Sequence, residues 1–82
     1  MEKIPIKLEY KGKQCIFFFE NALGAGREYT FQLYYKNFYF GELFYTPNYF
    51  WQYYGNHFNG MGDFFGDYVT AWYDSHAQDI DV

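Results

Sequence analysis

Apolar side chains recur at every second position through most of this chain, and turn-forming residues cut the alternation into short runs. Period two is the geometry of a half-buried β-strand, because successive side chains point to opposite sides of a sheet. A chain patterned this way is expected to form a sheet whose strands are joined by tight connections. Ile4, Ile6, Leu8 and Tyr10 alternate with Lys3, Pro5, Lys7 and Glu9, which gives a first strand. Pro5 lacks an amide donor, so it belongs on an edge strand or at the start of a strand. Lys11-Gly12-Lys13 reads as the turn, with glycine supplying a positive φ. Residues 14–20 follow, apolar on both faces through Cys15, Phe17 and Phe19 against Ile16 and Phe18, the pattern of an interior strand covered twice.

The stretch 21–28 holds Gly24 and Gly26 and reads as a loop. Alternation resumes over 29–35, turns at Lys36-Asn37 and continues over 38–46. Thr46-Pro47-Asn48-Tyr49 carries the proline and asparagine of a β-turn, and 49–54 makes a fifth strand. The glycine- and asparagine-rich stretch 55–62 leaves the sheet, and Asp63 is placed to cap a helix of about three turns. Phe64, Phe65, Tyr68, Val69 and Trp72 fall on one face of that helix, with Asp67, Thr70 and Asp74 on the other. Gly66 inside it implies close approach of another backbone. The expected architecture is one α+β domain over 1–76, a meander-like antiparallel sheet of five strands with a C-terminal helix packed on one face, and an acidic, disordered tail over 77–82.

Ring content sharpens this reading. Eleven Phe, eleven Tyr and two Trp make up 29% of the 82 residues. If the helix covers Ile6, Leu8, Phe31, Leu33, Leu43 and Trp51, alternation sends Phe18, Tyr34, Phe40, Phe44, Phe50 and Tyr54 to the opposite face, among Thr30, Gln32, Glu42 and Gln52. Each ring can bury roughly 150–250 Å², and an ordinary monomer exposes a largest apolar patch of only about 300–600 Å². Those six residues are therefore expected to find cover, by self-association or on a partner, unless the sheet curls tightly enough to enclose both sets.

Charge is divided along the chain. All six basic residues fall within the first 36 positions, whereas Glu42, Asp63, Asp67, Asp74, Asp79 and Asp81 follow with no Lys or Arg among them. The second half is poorly suited to phosphate backbones and better suited to a basic protein surface, with Asp63, Asp67 and Asp74 as the partner-facing carboxylates. Direct nucleic-acid binding is disfavoured. Met1-Glu2-Lys3-Ile4-Pro5 lacks the features of a signal peptide, no run is long enough to span a bilayer, and the single Cys15 reads as a buried, inert thiol, so a cytoplasmic location is expected.

Candidate chemistry is sparse. His57 stands in a loop with Asp63 some residues on, and without a His/Cys cluster it reads as a loop residue. His76 is accounted for by the dipole at a helix C-terminus. The pair Asp63 and Asp67 is likewise explained by the first helical turn. No catalytic constellation, metal site or cofactor motif is present, so a non-enzymatic binding protein is expected. It would be a homo-oligomer, able to serve as an inhibitor or adaptor of a basic surface. The alternative is a small-ligand binder for a nucleotide or sugar, in which Tyr39 and Tyr45, with Tyr34 and Tyr54, stack on the ligand while Gly24, Gly26 and Arg27 hold an anionic group.

Overall fold

The computed structural model describes residues 3–21 and 30–80, the last four of these by backbone alone. Its strands are β1 (Lys3–Tyr10), β2 (Lys13–Asn21), β3 (Thr30–Tyr35), β4 (Phe38–Tyr45) and β5 (Trp51–Gly55), followed by helix α1 (Gly62–Ile80). They form one sheet in the order β1-β2-β3-β4-β5, each strand antiparallel to its neighbours, and the helix packs on one face. The α+β meander is thus the fold that the alternation predicts. Segment 22–29, including the expected loop glycines and Arg27, lies outside the described residues.

The core is the helix-facing side of the sheet. Ile4, Ile6, Leu8, Phe17, Phe19, Phe31, Leu33, Leu43 and Tyr53 are buried there under Phe65 and Val69. Phe65 meets Phe19 and Tyr53 edge-on, with ring centres 5.3 and 5.1 Å apart. Gly41 and Gly55 face one another across β4 and β5, and their missing side chains leave a slot that the Tyr53 phenol fills.

Phe40 departs from the expected alternation. Leu33 pairs with Gly41 but Tyr34 pairs with Tyr39, so Phe40 is an extra residue in β4. A bulge of this kind turns a strand locally, and Phe40 swings into the core beside Phe17 and Tyr10 instead of pointing away from the helix. Phe50 likewise leaves its expected place, because β5 starts at Trp51 and Tyr49 adopts a positive φ of 69° in the preceding turn.

The helix also differs in detail. It spans 19 residues, about two turns more than expected, and runs past His76 into the segment expected to be a tail. Its first backbone bond joins Phe65 N–H to Met61 O, which makes Met61 the capping position and leaves Asp63 inside the first turn, where its charge still favours the dipole. Phe64 is exposed and not part of the packing face. His76 stacks on Trp72 at 3.9 Å, one turn back, so ring packing and not a helix terminus explains it. Gly66 does make a close approach, but to a side chain: a Cβ there would overlap the Trp51 indole, while the backbone approach belongs to Gly62, whose Cβ would sit 2.8 Å from Trp51 O.

Each outer strand has one residue whose backbone is engaged by a side chain. Tyr68 Oη donates to Pro5 O at 2.5 Å on the β1 side. On the β5 side the Asn59 amide donates to Gly55 O at 2.8 Å and accepts from Gly55 N–H at 3.2 Å, as a paired strand would.

Two measurements check this packing. Alanine at position 66 would ordinarily strengthen a helix by about 1 kcal/mol, yet overfilling a packed site costs roughly 1–3 kcal/mol. The overlap with Trp51 sets the sign, so Gly66→Ala is expected to lower stability in urea unfolding, and a gain would show that the indole is not fixed. The second concerns Tyr53, whose phenol donates to Phe40 O at 3.2 Å. Burial, reinforced by Tyr39, pushes it up to about 12 from an ordinary 10.0. Between those values the unfolded chain binds fewer protons than the folded one, so the stability Tyr53 contributes below pH 10.0 is lost as pH rises toward about 12. Tyr53→Phe should cost about 1 kcal/mol near neutrality, and its deficit against the natural chain should shrink through that alkaline window.

Candidate functional site: the sheet face opposite the helix

The helix leaves the other side of the sheet open, and cross-strand register sorts its residues into rows. Pro5, Phe18, Tyr34 and Tyr39 form one row, and Lys7 with Ile16 flanks it. Lys3, Glu20, Gln32, Glu42 and Tyr54 form the next. Thr30, Phe44 and Gln52 form a third, in which Thr30 is fully buried. Rings and polar groups therefore alternate in bands across all five strands.

Ile16 is 52% exposed, Tyr39 53% and Tyr54 60%, while Phe18, Tyr34 and Phe44 are half-buried between their neighbours. Tyr34 and Tyr39 meet edge to face at 5.8 Å, and Phe44 stacks with Tyr54 at 5.8 Å. Lys3 lies 6.0 Å over the Phe18 ring and 3.6 Å from Glu20. The amides are engaged within the face: Tyr34 Oη donates to Gln32 Oε1 at 2.8 Å, and Gln52 Nε2 donates to Tyr54 Oη at 3.1 Å. Burial, with Glu42 and Tyr34 adding to it, raises the Tyr39 phenol above its ordinary value.

Of the six rings expected here, Phe18, Tyr34, Phe44 and Tyr54 come together, Phe40 is in the core and Phe50 is in the turn before β5. Ile16 and Tyr39 belong to the face as well. Ile16 was legible in the alternation of β2, but Tyr39 reaches this side through the bulge at Phe40. β2 is interior as expected, but among the described residues only its Phe17 and Phe19 side is covered by the helix. Cys15 is half-buried, and its thiol, by hydrogen bonding, heads the causes that raise the Tyr35 phenol, ahead of burial.

The expected ligand site does not assemble among the described residues. Tyr39 and Tyr45 stand near opposite ends of β4, about 20 Å apart at the usual rise of a strand, and Tyr45 packs on Trp51. Gly24, Gly26 and Arg27 lie outside the described residues. Asp63, Asp67 and Asp74 are all exposed on the helix. No group of three or more His, Cys, Asp or Glu side chains converges among the described residues, and no helix there is long and apolar enough to cross a membrane.

Comparison with protein families, with curated proteins and with solved structures returns no match. The geometry of the chain itself therefore carries the reading that follows.

The division between faces has a direct consequence for mutation. Phe40→Ala removes a core ring and should cost about 3–5 kcal/mol, whereas Tyr54→Ser on the open face should change the stability of the isolated subunit by less than about 1 kcal/mol. Equal losses in chemical denaturation would overturn the assignment of Phe40 to the core and Tyr54 to the surface.

Proposed function

We propose that this protein is a non-enzymatic interaction module that associates with a second copy of itself through the open sheet face. The observation that carries the reading is the combination of exposed rings with polar groups already bonded to one another. Burying an amide or phenol is costly when its hydrogen bonds to water are not replaced. Here Gln32, Tyr34, Gln52 and Tyr54 take partners within the face, so drying it sacrifices less than drying an ordinary polar surface. Rings supply the driving force, and aromatic side chains are enriched in interface cores.

A second copy is the favoured occupant because the face holds both signs of charge. Lys3 and Lys7 lie toward β1, while Glu20 and Glu42 lie nearer the middle. An isologous pairing presents the same patch from both sides and needs both signs for complementarity. Five strands at about 4.8 Å spacing, over roughly six residues each, give a projected area of about 450 Å². This is below the roughly 800 Å² per partner of a standard interface, so association in the micromolar range is expected.

The exposed stripe of Asp63, Asp67 and Asp74 supplies a separate surface for a basic protein, in keeping with a role as adaptor or inhibitor in the cytoplasm. Sedimentation velocity from about 10 to about 500 µM tests the self-association. A concentration-dependent dimer is expected, and Ile16→Lys with Tyr54→Lys should abolish it while leaving the melting temperature of the subunit nearly unchanged. A monomer throughout that range would remove the proposal.

A further inference from the structure

An antiparallel meander sends alternate connections to the same end of the sheet, and here that places the Lys11-Gly12 and Lys36-Asn37 turns together, with the C-terminal end of β5 beside them. Between them lies an open groove of about 410 Å³, within the range of small-molecule sites. Its walls are the rings of Tyr10, Tyr35, Phe38, Tyr39 and Phe40. Phe38 is 69% exposed at the mouth, an unusual position for a ring with no cover among the described residues. Asn56 and His57 close the remaining side, with the His57 ring centre 5.0 Å from Tyr10 and 5.4 Å from Phe40.

One ammonium group, that of Lys11, lines this opening, and a second, that of Lys36, stands over the Tyr35 ring of its wall. Lys11 Nζ stands 5.3 Å from the centre of the Tyr10 ring, and Lys36 Nζ stands 5.3 Å from the centre of the Tyr35 ring. Those two rings are themselves 6.1 Å apart. Neither lysine is paired with a carboxylate of a described residue. Both hold a left-handed backbone, with φ of 53° and 56°. Glycine or asparagine would occupy such turn positions at lower cost, by about 1 kcal/mol. Lysine at both turns keeps positive charge at the groove despite that cost, and strained residues of this sort gather at binding sites.

We propose that the groove is a binding site for a free nucleoside phosphate, the base stacking against the ring wall at Phe38 and the phosphate held by Lys11 and Lys36. Flat rings accept any base on their faces, and an exposed amide such as that of Asn56 can address a base edge. A neutral sugar would gain nothing from two ammonium groups. A long polyanion would meet the acidic second half of the chain and its net charge of −4. The groove lies at the turn end and shares Tyr39 with the open sheet face, while Lys11, Lys36 and Phe38 stand outside the rows proposed to pair.

The test is a titration of the isotopically labelled protein, followed by amide NMR shifts, with AMP, adenosine, inorganic phosphate and a short oligoadenylate as separate ligands. AMP is expected to give saturable shifts in residues 10–12, 35–40 and 56–57, and to bind at least about tenfold more tightly than adenosine or phosphate. Lys11→Gln combined with Lys36→Gln should weaken AMP by about tenfold and leave adenosine unchanged, whereas Phe38→Ser should weaken both. All three substitutions sit on exposed side chains, and unchanged dispersion of the remaining amide signals checks that each variant is folded. Absence of saturable shifts at about 10 mM AMP, equal AMP affinity in the double lysine variant, or oligoadenylate binding more tightly than AMP would each overturn the assignment.

Discussion

A single helix can shelter one side of a five-stranded sheet, and its seat on that side is set by a contact between a missing side chain and a ring. Gly66 lets α1 settle onto the Trp51 indole, and Gly62 brings the first turn against the backbone of β5. With the helix held there, Phe65 reaches Phe19 and Tyr53, and Val69 closes the core behind it. The position of one element thus decides which rings are buried by the fold and which are left to meet something else.

Much of this was legible in the sequence, for reasons that are local. Strand alternation and the turns at Lys11-Gly12 and Lys36-Asn37 depend on a few neighbouring residues, and the fold keeps them; of the two places open to Pro5, an edge strand or a strand start, β1 takes the edge. Misreadings arose where a distant partner decides. Nothing next to Phe40 announces the extra residue in β4. The bulge is visible only from the pairing of Leu33 with Gly41 and Tyr34 with Tyr39, and it sends one ring into the core and brings Tyr39 out. In the same way Gly66 signalled a close approach, but whether backbone or indole approaches it depends on a strand fifteen residues earlier. The helix outruns its expected length because 77–80 carries no proline or glycine to stop it, although the acidic composition there is that of a tail.

The two proposed surfaces differ in how far sequence can reveal them. The open face is a property of alternation, which by itself groups Phe18, Tyr34, Phe44 and Tyr54. The groove gathers Tyr10, Tyr35, Phe38 and His57 from four separate connections and strand ends, each of which reads alone as turn or rim. Its lysines are legible as turn residues, and only the meander topology brings both turns to one end of the sheet, each ammonium over a ring.

The engaged backbone groups of the outer strands bear on how such a ring-rich chain behaves when crowded. A bare edge can template another strand and so begin open-ended fibril growth. Tyr68 engages the outward carbonyl of Pro5, which has no N–H to offer, and the Asn59 amide takes both backbone groups of Gly55. An added strand would meet an engaged backbone group at Pro5 on one side and at Gly55 on the other, and the two-fold stack proposed above would use up its own sticky surface and stop.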